Sequence, residues 1–105
     1  MSGCEDLSPF ALQVQGDSME PEFPDKAIIV IDPGYPVANE LYVACDYLGE
    51  TVLRQMIIDE GQRFLRPVNP AYPTVEVTAS LKIHGVIVQK TTRKKGKRRQ
   101  VTHYV

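Results

Sequence analysis

The 105-residue sequence contains no tryptophan, only two cysteines and no long apolar run. No segment approaches the ~18 consecutive apolar residues of a membrane-spanning helix, and the N-terminus lacks the basic start and apolar stretch of a signal peptide. Cys4 and Cys45 are too few for a disulfide framework or a zinc site. These absences favour a cytoplasmic protein with reduced thiols, no membrane contact and no metal or other cofactor.

Helical periodicity over ten or more residues is also lacking, as is any internal repeat. A chain of this length supports one hydrophobic core. The aromatic residues are few, and four of the tyrosines are scattered along the chain, which argues against a stacking platform for single-stranded nucleic acid. These tyrosines are Tyr35, Tyr42, Tyr47 and Tyr72.

Half of the 12 basic residues are concentrated at one end of the chain. All 13 acidic residues lie at or before Glu76, so residues 1–90 carry a net charge of -7 and residues 91–105 carry +6. This segment indicates one of three things: salt-sensitive contact with nucleic-acid phosphates, a solvated turn or tail, or pairing with the acidic body of a second subunit. Its six basic residues are Arg93, Lys94, Lys95, Lys97, Arg98 and Arg99.

Short segments rich in β-branched and apolar residues predict an almost entirely β structure. The predicted strands are residues 10–15, 27–32, 40–47, 50–58, 62–67, 74–78 and 81–89. Leu48 and Gly49 predict one hairpin loop, residues 59–61 predict a second, and three prolines make residues 67–73 a loop. The C-terminus is either a further hairpin that turns at Gly96 or a mobile tail.

The segment GDSMEP, residues 16–21, places Ser18 between an aspartate and a methionine. Gly, Asp and Ser are common turn residues for backbone reasons, so this segment alone fits an ordinary turn as well as a nucleophile. We expect Met19 to fill a gap in the core under the turn and Pro21 to fix the backbone there.

Five segments in the same order resemble the LexA and UmuD type of self-cleaving serine peptidase, over about residues 9–90. They are GDSMEP, PDKAIIVID, ETVLRQM, RFLRPVNPAYPTVEV and KIHGVIV. The resemblance implies an all-β fold like the LexA C-terminal domain, with twisted antiparallel sheets. It divides the chain into a leader (1–8), a peptidase-like domain (9–90) and a basic C-terminal hairpin or tail (91–105).

The resemblance also implies a Ser-Lys dyad, in which a buried neutral lysine takes the proton of the attacking serine. Ser18 matches the nucleophile, and the backbone amides of Asp17 and Ser18 match the oxyanion hole. Leu53 stands where the family has its lysine, and leucine cannot accept a proton. General base catalysis is typically worth ~10²- to 10⁴-fold, so we expect impaired or absent peptidase activity.

The resulting prediction is a catalytically impaired domain that serves as a dimerisation or regulatory module of repressor or phage type. A homodimer through an exposed edge strand after Val88 is the expected assembly, and another protein partner is also conceivable. One alternative is an active serine peptidase whose base is Lys26, Lys82 or His84. The other is a nucleic-acid-binding protein that works through Arg93–Arg99.

Overall fold

In the computed structural model, which describes residues 8–77, 81–92 and 98–105, all regular secondary structure is β-strand. Each strand coincides with a segment rich in β-branched or apolar residues. The strands are β1 (Phe10–Gln13), β2 (Ile28–Asp32), β3 (Tyr42–Tyr47), β4 (Glu50–Asp59), β5 (Gln62–Arg66), β6 (Val75–Glu76), β7 (Ile83–Thr92) and β8 (Gln100–His103). The described ranges contain no helix that is long and apolar enough to cross a membrane.

The eight strands form one antiparallel sheet in the order β1-β2-β7-β3-β4-β5-β6, and β8 pairs with β7 outside this path. The all-β antiparallel class predicted from the sequence is therefore confirmed. Because β7 pairs with β2, β3 and β8, it is the strand on which the others assemble. Its ten residues are long enough for β3 to pair with its first part and β8 with its last part.

Both predicted hairpins are present, and each closes with two residues of positive φ. Leu48 (φ 53°) and Gly49 (φ 84°) connect β3 to β4, while Glu60 (φ 49°) and Gly61 (φ 81°) connect β4 to β5. Positive φ at both loop positions matches the right-handed twist of the flanking strands. The predicted three-residue loop at 59–61 is wrong by one residue, because Asp59 pairs with Gln62 inside the ladder.

The core lies on both faces of the sheet, and β3 is buried on both. Ala44 joins one cluster, while its neighbours Val43 and Cys45 join the other. Alternating side chains point to opposite faces, so a strand that is covered on both faces needs apolar residues in succession. The first cluster comprises Val14, Met19, Phe23, Ala27, Ile29, Ile31, Ala44, Leu53 and Ile87. The second comprises Val43, Cys45, Met56, Leu65 and Val86.

Cys45 is a free, fully buried thiol, as the sequence predicted. Its burial among apolar side chains raises the pKa to about 11, because the thiolate would lose its hydration there. Cys4 lies outside the described residues.

The C-terminal residues form a strand, which is the first of the two predicted alternatives. Thr92 pairs with Gln100 and Gln89 with His103. The predicted turn at Gly96 lies outside the described residues. The expectation of a free edge directly after Val88 is wrong for β7, because this part of β7 pairs with β2 on one side and with β8 on the other. In this part of the sheet the unpaired edge belongs to β8, which pairs with β7 alone among the described strands.

The predicted strand ends are less accurate than the strands themselves. β1 ends at Gln13, two residues early, and β6 contains only Val75 and Glu76. β7 begins at Ile83 and continues to Thr92, past the predicted domain boundary at residue 90. The division of the chain into residues 1–8, 9–90 and 91–105 stays a prediction.

Candidate functional site

The segment around Ser18 is a tight turn that follows β1. The Gly16 amide donates to Asp25 Oδ1 at 2.9 Å, and the Glu20 amide donates to the Asp17 carbonyl at 3.1 Å. Met19 is 1% exposed and fills the core beneath the turn, as predicted. The turn is therefore anchored from below by packing and at its ends by hydrogen bonds.

The proline-rich loop at 67–73 holds this turn from the other side. Asn69 donates its amide to the Ser18 carbonyl (2.9 Å) and its side-chain Nδ2 to the Asp17 carbonyl (3.0 Å). The Tyr72 hydroxyl donates to Asp17 Oδ1 at 2.5 Å, and this hydrogen bond raises the pKa of Tyr72. The loop thus fixes both the backbone and the carboxylate next to Ser18.

A groove of about 550 Å³ runs past Ser18 between residues 12–19, residues 50–54 and Tyr72. We call it the serine groove. Leu53 lies in its wall and is 8% exposed, in the core cluster that also contains Val14 and Met19. The register of β4 is set by the pairing of Ala44 with Leu53. The structure therefore brings Ser18 and Leu53 to one groove.

Arg54 contacts Ser18 directly, which the sequence did not predict. Its Nη1 donates to Ser18 Oγ at 3.1 Å and to the Leu53 carbonyl at 2.7 Å. Partial burial lowers the pKa of Arg54, but an arginine keeps its proton in proteins and has no acceptor atom. The side chain that bonds to the Ser18 hydroxyl is thus a donor and not an acceptor.

The three alternative bases line other parts of the surface. Lys26 is exposed, has φ 74° and precedes β2, and Lys82 is exposed before β7. His84 Nε2 lies 2.8 Å from Asp46 Oδ1, and hydrogen bonds from His84 and Thr51 lower the pKa of Asp46. None of the three lines the serine groove.

Lys90 is more buried than Lys26 and Lys82, since its side chain is only 12% exposed. Its Nζ donates to the Glu22 carbonyl at 2.5 Å and to Glu22 Oε2 at 2.8 Å, and the Tyr104 hydroxyl donates to the same oxygen at 2.6 Å. The side-chain hydrogen bond from Lys90, and to a smaller extent that from Tyr104, lowers the pKa of Glu22. The contacts join the end of the serine turn to β7 and the C-terminus.

Three aromatic rings pack beside this network. Phe23 lies 4.9 Å from Tyr42 and 5.1 Å from Tyr104 between ring centroids, and Lys90 Nζ lies 5.6 Å from the centre of the Phe23 ring. The sequence separates Tyr42 from both partners and shows it only as one of four scattered tyrosines. The contact between these rings depends on the pairing of distant strands, so no local sequence pattern predicts it.

Of the predicted nucleic-acid contacts, Arg98 and Arg99 are exposed, and Arg99 lines a second groove. Arg93, Lys94, Lys95 and Lys97 lie outside the described residues. In the part of the chain that the structure describes, no group of three or more His, Cys, Asp or Glu side chains is arranged to hold a metal ion.

Comparison with known proteins identifies the family of the chain. The sequence profile described as Peptidase S24-like matches residues 5–88. The chain belongs to the Peptidase S24-like family. In this S24 chain, the match covers the serine turn, β4 with Leu53, and most of β7.

Curated relatives of the S24 chain are named as regulators and repressors. The chain is similar to the HTH-type transcriptional regulator for conjugative element R391 of Providencia rettgeri, with 38% identity over 87 residues, 76% of this chain and 40% of the relative. It is 38% identical to Repressor protein C2 of Salmonella phage P22 over 85 residues, 75% of this chain and 39% of that protein. A LexA repressor from Verrucomicrobium spinosum is 38% identical over 81 residues, 76% and 40% of the two chains. The S24 chain thus spans about two fifths of these relatives.

Proposed function

We propose that this chain is a regulatory S24 domain of repressor type that keeps the serine turn and lacks the group that would activate it. The observation that carries the proposal is the surroundings of Ser18 Oγ: a leucine in the groove wall and an arginine donor at 3.1 Å. The relatives named as regulators and repressors support the regulatory role.

Acyl transfer to Ser18 would require removal of its hydroxyl proton as Oγ attacks a carbonyl carbon. Leu53 has no lone pair, and Arg54 occupies an acceptor site of Oγ with its own N–H. The amides of Asp17 and Ser18 are the proposed oxyanion donors, but they stabilise charge only after attack has begun. The chain therefore lacks a group that could remove the Ser18 hydroxyl proton, although it keeps the serine turn and the groove.

The rival function is a working serine peptidase with a substitute base. A base must come within about 2.6–3.2 Å of the proton that it removes, or act through one water. Lys26 and Lys82 are exposed outside the serine groove, and His84 is paired with Asp46. These placements disfavour all three residues as the base.

The regulatory role that we propose is self-association and contact with a protein partner. The exposed edge of β8 is the surface proposed for a homodimer, because an open edge strand offers unpaired N–H and C=O groups. The cytoplasmic location stays a prediction from the sequence.

A fluorophosphonate probe tests the state of Ser18. We expect negligible mass addition at neutral pH for the native chain and accelerated addition for Leu53→Lys, which places an amine in the groove. Burial would lower the pKa of this amine and free its lone pair. Leu53→Met is the matched control, since it keeps a flexible side chain of similar volume without a base.

Rapid labelling of the native chain, lost in Ser18→Ala, would overturn the proposal. A well-folded Leu53→Lys chain that labels no faster than Leu53→Met would contradict the placement of residue 53 as the base position. Circular dichroism and urea unfolding of each variant establish that it is folded before labelling.

A further inference from the structure

Arg54 brings a positive charge into the serine groove, and no carboxylate of the described residues forms an ion pair with it. Both of its hydrogen bonds, to Ser18 Oγ and to the Leu53 carbonyl, come from Nη1. Every buried side-chain nitrogen or oxygen in the described ranges has a partner, so Nε and Nη2, which have none there, are in contact with solvent. Three N–H donors of the guanidinium therefore remain for a ligand.

The two carboxylates that line the groove leave this charge unbalanced. Asp17 Oδ1 accepts the Tyr72 hydroxyl at 2.5 Å. Glu50 is exposed at the first residue of β4. An extended strand advances about 3.4 Å per residue, so Glu50 lies about 13 Å along the strand from Arg54, beyond the Debye length of about 8 Å at physiological ionic strength. A partly buried guanidinium without a counter-charge is costly, and an anion from outside lowers that cost.

Further donors lie beside the guanidinium, at the serine turn. Neither the Asp17 amide nor the Ser18 amide donates to an acceptor in the part of the chain that the structure describes. Ser18 Oγ accepts its hydrogen bond from Arg54, so the hydroxyl proton is available to donate to a ligand. The contact that leaves Ser18 without a base thus makes this end of the groove a surface of donors.

The rest of the groove is suited to the end of a peptide chain. β1 pairs with β2 alone among the described strands, and β4 before Gln55 pairs with β3 alone, so each has an unpaired edge, and residues of both strands line the groove. An extended peptide adds to such an edge through its backbone, while its side chains enter apolar pockets. Five apolar side chains line the groove: Leu12, Val14, Met19, Val52 and Leu53.

We propose that the serine groove binds the C-terminal carboxylate of a peptide, and that Arg54 is the residue that recognises it. Nε and Nη2 of an arginine form two parallel hydrogen bonds to a carboxylate. A peptide end brings a carboxylate for Arg54, an apolar last side chain for the groove wall and a backbone for a strand edge, whereas a free inorganic anion offers only the charge. The inference rests on the proposed function, because a groove that does not acylate Ser18 holds a peptide without cleaving it.

Fluorescence anisotropy on the full chain tests the proposal with a set of tetrapeptides labelled at the N-terminus. Each peptide is Ala-Ala-Ala-Z, in which Z is Ala, Val, Leu or Met, and each is made as a free acid and as a C-terminal amide. We expect the best free acid to bind roughly 10- to 100-fold more tightly than its amide, because the amide cannot form charge-assisted hydrogen bonds with Arg54.

Substitutions of Arg54 identify the residue that recognises the carboxylate. Arg54→Gln should bind the acid and the amide equally, whereas Arg54→Lys should keep part of the preference, since lysine keeps the charge but not the planar fork. Arg63→Gln is the matched control, because it removes an exposed arginine of β5 that lies outside the groove. It should keep the native preference, and equal urea midpoints establish that the variants are folded.

Equal binding of acid and amide by the native chain would overturn the proposal, as would the absence of binding by every peptide at millimolar concentration. If Arg54→Gln and Arg63→Gln lose the preference alike, total charge and not Arg54 recognises the carboxylate. Displacement of the best peptide by inorganic phosphate at equal concentration would identify a small-anion site, and the peptide assignment is then wrong.

Mass spectrometry of the same peptides separates this inference from the proposed function. Cleavage of a peptide by the native chain, lost in Ser18→Ala, would contradict the proposed function. A native chain that neither cleaves the peptides nor prefers their free acids would contradict this inference alone.

Discussion

At Ser18, two adjacent residues of β4 determine what the hydroxyl can do. Leu53 supplies packing to the cluster around Met19, while Arg54 supplies an N–H to Ser18 Oγ. A lysine at residue 53 would have to be buried among the same apolar side chains. Leu53 therefore stabilises the core through packing, whereas a lysine amine buried at the same position would lose its hydration at a cost in free energy.

Some of this site was predictable from the sequence and some was not. Ser18 and Leu53 were assigned through the resemblance of their motifs to the family, and such motifs are local properties of a sequence. Arg54 was missed, since alternation directs it away from the face of Leu53 and only its long, flexible side chain allows it to reach Ser18. The contact between Glu22 and Lys90 joins residues 68 positions apart, and no local pattern predicts such a pair.

The Glu22–Lys90 pair gives stability a pH dependence that Glu22→Gln should remove. Because the folded pKa of Glu22 lies below its ordinary value of 4.5, its stabilisation is present above that pH and is lost as pH falls through the lowered pKa. We expect the variant to be less stable by about 1 kcal/mol at pH 7, a modest value because Glu22 is partly exposed and solvent screens the pair.

Urea unfolding at pH 7 and pH 3 measures this difference. It should be smaller at pH 3 than at pH 7, because below the ordinary pKa of 4.5 the unfolded chain takes up the proton of Glu22 and the stabilisation begins to be lost. Glu76→Gln, at an exposed position of β6, is the control and should change little at either pH. A difference of equal size at both pH values would show that ionisation of Glu22 contributes nothing.

At the scale of elements, the strands and both tight hairpins were predictable, because the alternation of apolar residues and the Gly in each loop are visible within a few consecutive residues. The partners of the strands were not. β7 pairs with β2 across 50 intervening residues and with β3 across a register shift between Ala44 and Cys45. Such pairings follow from how the whole core closes, so strand order required the structure.

Gly85 lies where β7 and β2 approach each other closely. A β-carbon there would lie 2.6 Å from Ile31 Cγ2 and 2.8 Å from the Asp32 carbonyl carbon and oxygen. Backbone atoms cannot yield as a flexible side chain can, so we expect Gly85→Ala to destabilise the fold by about 1–3 kcal/mol. Urea unfolding measures the loss.

Gly61→Asn is the matched control for this prediction. Gly61 has open space around its missing β-carbon, and Asn tolerates its positive φ of 81°. The control should therefore lose much less stability than Gly85→Ala. If both variants lose the same amount, close packing of β7 on β2 is not the constraint at Gly85.

At the scale of the molecule, the C-terminal segment connects the sheet edge at β8 with the end of the serine turn. β8 pairs with β7, and Tyr104 just beyond it bonds to Glu22 at the end of the serine turn. Burial and the Glu22 hydrogen bond both raise the pKa of Tyr104, so it stays a neutral donor. One edge of β8 is thereby fixed to the fold, and no strand of the described residues pairs with its other edge.

Hydrogen-bond parity identifies which backbone groups of β8 face that open edge. The Tyr104 amide donates to the Val88 carbonyl on β7 at 2.9 Å. Amides of alternate residues in a strand point the same way, so the Thr102 amide also faces β7, while those of Val101 and His103 face outward. A proline at residue 101 would remove an outward donor and leave the β7 pairing intact.

Val101→Pro therefore tests whether the proposed homodimer forms by pairing of β8 with its symmetry mate. In sedimentation velocity, we expect a concentration-dependent dimer for the native chain and a monomer for Val101→Pro, because the pairing loses an N–H donor at its centre. Val101→Thr is the matched control: it keeps the amide and the β-branched shape, so it should dimerise. If Val101→Pro stays folded and dimeric, the two copies meet through another surface, since removing a donor from the β8 edge would have broken an edge-to-edge ladder.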